Sequence, residues 1–167
     1  MTWQVSDGTK MWSVAESDGG PTEEHLATDP AVFDHLDQIF HFTLDAAAEE
    51  WNHKCARYFT PADDGLAQDW GQDIVFLNPP YGAALGTWLA KARDAAVAGA
   101  TVIVLLPSIT DADWWHDIVM PSAAIHFFRG RVCWVNRQGD RIPSPVPVVA
   151  AEFRPGGPPC RTEGPPQ

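Results

Sequence analysis

The alternation of apolar and polar positions divides the chain into a short series of elements. In residues 31–40 the apolar side chains Val32, Phe33, Leu36, Ile39 and Phe40 recur at helical spacing, so one face of a helix is expected to be buried. Thr28-Asp29-Pro30 supplies a capping residue and a proline suited to the first helical position. Residues 42–44 form a short apolar run ending at Asp45, which reads as a buried strand, and Ala46, Ala47 and Ala48 are placed to open a helix. Residues 52–72 look irregular, with turn chemistry at Pro61 and Asp64-Gly65. Ile74-Val75-Phe76-Leu77 is a buried strand closed by Asn78-Pro79-Pro80. Two successive prolines cannot continue a ladder, so the chain must leave the sheet there. Residues 83–97 predict a helix with Leu85, Trp88, Leu89 and Ala92 on one side and Gly99 as its stop. Residues 101–106 predict a second continuous apolar strand and 111–120 a short helix. Three further strands follow at 124–128, 131–135 and 146–153, with a turn at 136–140.

Strand, helix, strand, helix, strand is the order of a parallel α/β sheet, where ligands gather beyond the carboxyl ends of the strands. Asp45 and Asn78 both close expected strands and are candidates to share one crevice. A length of 167 residues fits one compact domain, read here as residues 25–154. Residues 1–24, rich in Ser, Asp, Gly and Thr around Trp3 and Trp12, read as an N-terminal arm, and the Pro/Gly-rich residues 155–167 as a disordered tail.

Charge sharpens the question of partners. The formal net charge of −11 is the wrong sign for a protein that lives on nucleic acid. Between Ala123 and Arg154, however, the basic residues Arg129, Arg131, Arg137, Arg141 and Arg154 face only Asp140 and Glu152, so a local basic face is open to this chain. Cys55, Cys133 and Cys160 are odd in number and form no C-x-x-C, which fits reduced thiols in a cytoplasm. His35, His41 and His53, with Cys55 nearby, show no metal-ligand spacing, and no metal is expected. Neither a secretory signal nor an apolar run of membrane-spanning length is expected.

The chemistry concentrates at Asn78-Pro79-Pro80-Tyr81. The lone pair of an amine on an aromatic ring, such as that of a nucleobase, is delocalised into the ring, so the amine is a poor nucleophile. Two acceptors that each take a hydrogen bond from the NH2 group favour the pyramidal form and free the lone pair. The Asn78 side-chain oxygen and the Pro79 carbonyl can provide them at a spacing the prolines hold fixed, and Tyr81 can stack on the base. In a duplex such a base must first be flipped out of the stack, after which orientation does most of the catalytic work. The tetrapeptide alone fits a surface turn equally well; its position after a buried strand and before a helix makes it specific.

Further segments accompany it in order: F-T-L-D-A-A-A at 42–48, Asn52, Y-F-T-P-A-D-D-G-L at 58–66, Trp70, F-L-N-P-P-Y-G at 76–82, W-L-A-K-A at 88–92, L-L-P at 105–107, T-D-A-D-W-W at 110–115 and R-G-R-V at 129–132. On these the chain resembles the phage-type, Dam-like DNA N6-adenine methyltransferases over about residues 28–153. The resemblance implies a compact Rossmann-like class I methyltransferase fold with a mixed, mostly parallel sheet. It also implies S-adenosylmethionine as donor, adenine in DNA as acceptor, and a place in the cytoplasm of an infected or lysogenic bacterial host. Asn78, Pro79, Pro80 and Tyr81 would be catalytic. Thr28, Asp45, Ala46, Asp64 and Asn78 would touch the cofactor, with Asp63 the alternative to Asp64. Two departures stand out: Ala46-Ala47-Ala48 replaces a glycine-rich turn, and Asp29 interrupts a T-P element at Thr28 to Pro30.

Competing readings remain at this level. Asp45 also suits a helix cap, and Asp63 and Asp64 suit a solvated loop. Trp114-Trp115-His116 fits base stacking or core packing, and Arg129 with Arg131 fits phosphate contacts or a solvated pair. The same tetrapeptide suits an enzyme methylating an RNA base or a protein glutamine, and the departures suit a non-catalytic nucleic-acid-binding module. No separate target-recognition domain is expected, so loops around 111–121 and 136–147 would read any DNA sequence.

Overall fold

The computed structural model describes residues 2–4, 10–13 and 26–157. Two short strands, β1 (Thr2–Gln4) and β2 (Lys10–Ser13), pair antiparallel within the segment expected to be an arm. The remainder is built around six strands: β4 (Leu44–Asp45), β5 (Arg57–Tyr58), β6 (Ile74–Leu77), β7 (Thr101–Pro107), β8 (Ala124–Phe127) and β11 (Val148–Phe153). Their order across the sheet is β5-β4-β6-β7-β11-β8. β5, β4, β6 and β7 run parallel, and β11 lies antiparallel between β7 and β8. The sheet is therefore mixed and mostly parallel.

Both faces are covered, which is why the central strands read as continuous apolar runs. Val75 and Leu77, Val102, Val104 and Leu106, and Val149 and Ala151 point to one face. There they meet Leu85, Trp88, Leu89, Ala92 and Ala96 of α2 (Leu85–Ala98). Gly99 ends α2 at a φ of 126°, a backbone conformation that favours glycine. Phe76, Ile103, Leu105, Val148 and Ala150 point to the other face, against Leu36 of α1 (Pro30–Phe40) and against Trp134. Asp29 caps α1 by accepting the Ala31 N–H at 2.9 Å, with Pro30 in the first turn as expected. Ile39, expected on the buried face, is 57% exposed.

The largest departure from the expected elements is a second, three-stranded sheet of order β10-β9-β3, made by β3 (Ala27–Thr28), β9 (Cys133–Val135) and β10 (Arg141–Pro143). The strand expected at 131–135 belongs here rather than to the main sheet. β3 and β10 carry too few residues for a period-two signal. Ala46, Ala47 and Ala48 do not open a helix. The Ala46 N–H donates to the Phe76 carbonyl at 3.1 Å and that of Ala48 to the Phe59 carbonyl at 2.9 Å, so these amides are committed to sheet-like bonds. The crossover from β4 to β5 is consequently a loop without a helix.

The helix expected at 111–120 occupies 113–122 and widens in the middle. Residues Trp115–Val119 form a π-helical turn, with the Met120 N–H reaching the Trp115 carbonyl. Pro121 explains the widening: it has no N–H for the Asp117 carbonyl, and its ring would crowd that group in a regular turn. Trp115 is buried here and Trp114 packs partly buried against the same core, edge-on to it at 5.8 Å.

One glycine holds the loop after β5 against the site. A Cβ on Gly65 would lie 2.3 Å from the Ala46 carbonyl oxygen and 3.2 Å from the Trp88 ring. Backbone on one side and a core indole on the other leave little room to yield. Gly65→Ala is expected to cost about 1–3 kcal/mol, read as a lowered thermal midpoint; an unchanged midpoint would show that the loop can simply lift away.

Candidate active site

The carboxyl ends of β4 and β6, adjacent and parallel, bring Asp45 and Asn78 to one rim. β3 arrives from the second sheet, its Thr28 paired with Trp134 of β9. Thr28, Asp45 and Asn78 line a single narrow cleft together with Ala47, Asn52 and Lys54 of the β4–β5 loop. The crevice expected from strand ends alone is thus present.

Asn78 is half-buried, and its Nδ2 donates to the Thr28 Oγ1 at 3.2 Å across a separation of 50 positions in the chain. That bond leaves Oδ1 as the acceptor end of the amide. Pro79 is buried and Pro80 exposed, and no cis peptide bond occurs among the described residues. The half-buried Tyr81 ring packs between the two cores, edge-on to Trp134 at 6.2 Å, and its hydroxyl donates to the Leu105 carbonyl at 3.3 Å. Enclosure of that hydroxyl pushes the phenol well above its usual range.

Asp45 is buried, and desolvation pushes its carboxyl up to about 6, against the lowering effect of the N–H bonds it accepts. The Lys54 N–H donates to Oδ2 at 3.0 Å, and the Ala47 N–H to Oδ1 at 3.4 Å. Asp45 therefore organises the loop that replaces the expected helix. Burial lowers the Lys54 ammonium from its usual value. The amide oxygen of Asn52 accepts the Glu49 N–H at 2.7 Å, which shapes the same loop. Lys54 carries no motif and stands out only once the fold places it.

Other candidates lie apart from this group. Asp29, the residue interrupting Thr28 to Pro30, is buried as a helix cap and pairs with Arg141 at 2.6 Å, tying β10 to the start of α1. Ala46 is buried beside Asp45, its carbonyl pressed on Gly65. Asp63 accepts the Thr60 N–H and hydroxyl at 2.8 and 2.7 Å, bonds that hold its carboxyl below the usual range. Asp64 is exposed at a left-handed φ of 52°. Neither aspartate lines the cleft. His53 stacks on Tyr58 with ring centroids 4.1 Å apart, and its Nδ1 bonds the Cys55 carbonyl. Among the described residues no group of three or more His, Cys, Asp or Glu is arranged to hold a metal, and no helix is long and apolar enough to cross a membrane.

With Asn78-Pro79-Pro80-Tyr81 at the rim of this sheet, the comparison with known sequences becomes decisive. The family described as DNA N-6-adenine-methyltransferase (Dam) matches residues 21–145 of 167. The chain belongs to this family. The mixed, mostly parallel sheet layered on both faces is the methyltransferase-like α/β fold that membership requires. Among curated relatives, the Dam-family chain is 28% identical over 111 residues to the DNA N-6-adenine-methyltransferase of Haemophilus phage HP1, covering 64% of each protein. It is 29% identical over 85 residues to the protein of the same description from Escherichia phage T1, covering 50% of this chain and 35% of that one. It is 41% identical over 46 residues to the putative methyltransferase YfdM of Escherichia coli K12, covering 24% of this chain and 50% of that one. The chain thus spans less than two thirds of the length of each of these relatives.

Proposed function

We propose that this Dam-family chain transfers a methyl group from S-adenosylmethionine to the N6 amine of adenine in DNA, acting in a bacterial cytoplasm on a base flipped out of the duplex. The observation that carries this reading is the meeting of Asn78 with Thr28 and Asp45 in one cleft at the carboxyl edge of the sheet. The Asn78 Oδ1 and the Pro79 carbonyl would each accept a hydrogen from the amine and free its lone pair. Tyr81, anchored through its hydroxyl, would give the base a fixed aromatic wall. No covalent enzyme intermediate is needed.

The donor set fits the proposed cofactor. S-adenosylmethionine supplies an electrophilic methyl group and carries a carboxylate, an ammonium and ribose hydroxyls. Lys54 suits the carboxylate, Asp45 the hydroxyls or the ammonium, and Thr28 and Asn52 add neutral polar partners. Asp64, on the loop pressed against Ala46, is the further contact proposed for the adenosine. At about 40 Å³ the cleft is far smaller than the ~300–1,000 Å³ of ordinary small-ligand sites, so the cofactor would occupy more of the rim than this cleft alone.

Incubating duplex DNA with methyl-labelled cofactor should place label in adenine. Cofactor binding without label in adenine, or label in RNA or protein glutamine instead, would overturn the assignment. Lys54→Met is expected to weaken cofactor binding about tenfold by calorimetry, the order of one charge-assisted hydrogen bond; an unchanged affinity would remove Lys54 from the cofactor site.

A further inference from the structure

The same rim carries a second depression that the proposed reaction does not use. It lies where β7 ends, β11 begins and β8 ends, and has a volume of about 430 Å³, within the ~300–1,000 Å³ of small-ligand sites. Its lining includes the buried Val148 and Val149, the half-buried Phe128, and the exposed Phe127 and Arg131. Phe127 is 79% exposed, an unusual state for a phenylalanine on a strand. The half-buried Phe128 beside it packs into the core, so only one of the two rings is committed to the fold.

Charge identifies the occupant. Of the five arginines between Ala123 and Arg154, three have acidic partners: Arg137 with Glu49, Arg141 with Asp29 and Arg154 with Glu152. Glu152 is also shared with His126 on the neighbouring strand. Arg129 and Arg131 form no ion pair among the described residues and both are exposed; Arg131 lines the depression with Gly130, and Arg129 precedes them in the chain. Two exposed cations beside an exposed aromatic ring, on a chain of net charge −11, make a local anion-and-ring site. Stacking on aromatic side chains with cationic tracking of the backbone is how proteins hold unpaired nucleotides.

We propose that the Phe127–Arg131 depression binds an unpaired nucleotide of the DNA strand flanking the target adenine, Phe127 stacking on its base and Arg131, with Arg129 beside it in the chain, holding its phosphates. The placement suits this. β6 and β8 are three strand spacings apart, on the order of 14 Å, which a few nucleotides of one strand can span. The inference rests on DNA being the substrate of the Asn78 site, and the two can fail separately.

The test uses the full chain and a fluorescent oligonucleotide duplex carrying a short unpaired stretch beside the target adenine, with affinity read by anisotropy across a salt series. Phe127→Leu is expected to weaken DNA binding about tenfold, the order of one lost stacking contact, while Phe127→Trp keeps it. Replacing Arg129 and Arg131 together by Gln should reduce the salt slope by about two. Cofactor affinity should be unchanged in all of these variants. Wild-type affinity and salt slope in the variants would overturn the proposal. So would a wild-type dimer that Phe127→Leu converts to monomers, because the ring would then be covered by a second copy. Loss of DNA binding in these variants, with no methyl reaching adenine in the wild type, would sink the methylation reading and leave this site standing. Normal methylation with unaltered DNA affinity would do the reverse.

Discussion

Asn78→Ala is expected to lower methyl transfer to adenine by about 10²–10³-fold or more, while leaving the protein folded. The lower figure is the usual loss when one preorganised hydrogen-bonding group is removed from a reacting centre. Here the same side chain would also orient the amine, so losses through misplacement add to it. The structural cost is small by comparison. Asn78 is half-buried and, among the described residues, its side chain bonds the Thr28 hydroxyl, a net contribution of about 1 kcal/mol. Thr28→Val separates the two roles, because it removes the partner of Nδ2 and leaves Oδ1 in place. Single-turnover rates with saturating cofactor should fall far less for Thr28→Val than for Asn78→Ala. Equal losses in the two would mean that Asn78 serves only to brace β3.

The second large effect concerns Asp45 and pH. Its carboxyl is raised from the usual 3.8 to about 6 by burial, which at 1.36 kcal/mol per unit is about 3 kcal/mol favouring the neutral form in the folded protein. The stabilising contribution is fully present below pH 3.8 and is lost as pH rises through about 6, so at neutral pH the fold carries a disfavoured buried charge. Asp45→Asn should therefore raise thermal stability at pH 8. The gain is reduced by about 1 kcal/mol, because an amide can accept only one of the two N–H bonds now made by Lys54 and Ala47. Near pH 4 the two proteins should melt together. Cofactor affinity should move the other way. If the carboxylate is the binding form, affinity falls up to tenfold per unit below pH 6 in the wild type, and is low and flat in Asp45→Asn. A wild-type affinity that stays level from pH 5 to 8 would rule out the carboxylate as a cofactor ligand. A variant that is more stable and binds less would mark Asp45 as a site where stability is sacrificed to function.

What was legible in the sequence follows from where the information sits. Ile74 to Leu77 and Thr101 to Leu106 are buried on both faces, so their apolar runs declare them, and the prolines and glycine that end β6 and α2 act locally. Ala46 to Ala48 predict a helix because alanine favours it, whereas Asp45 and the neighbouring strands claim the amides of Ala46, Ala47, Ala48 and Lys54 for other bonds. Thr28 could be suspected, but its route to Asn78 runs through β9, and a two-residue strand paired so far along the chain leaves no periodic trace. Lys54 enters the cleft by the same loop and has no signature beyond being a lysine. The tetrapeptide and its strand could be read directly; the shell around them is assembled by long-range pairing.

The scarcity of cations like Arg129 and Arg131, exposed and without an acidic partner among the described residues, on a chain of net charge −11 has a consequence for turnover. Few phosphates can be neutralised at once, and the net negative charge opposes long residence on a duplex. Such an enzyme would not slide between targets. It would release each modified duplex and meet the next by collision. On DNA carrying two sites, singly modified molecules should accumulate before doubly modified ones appear.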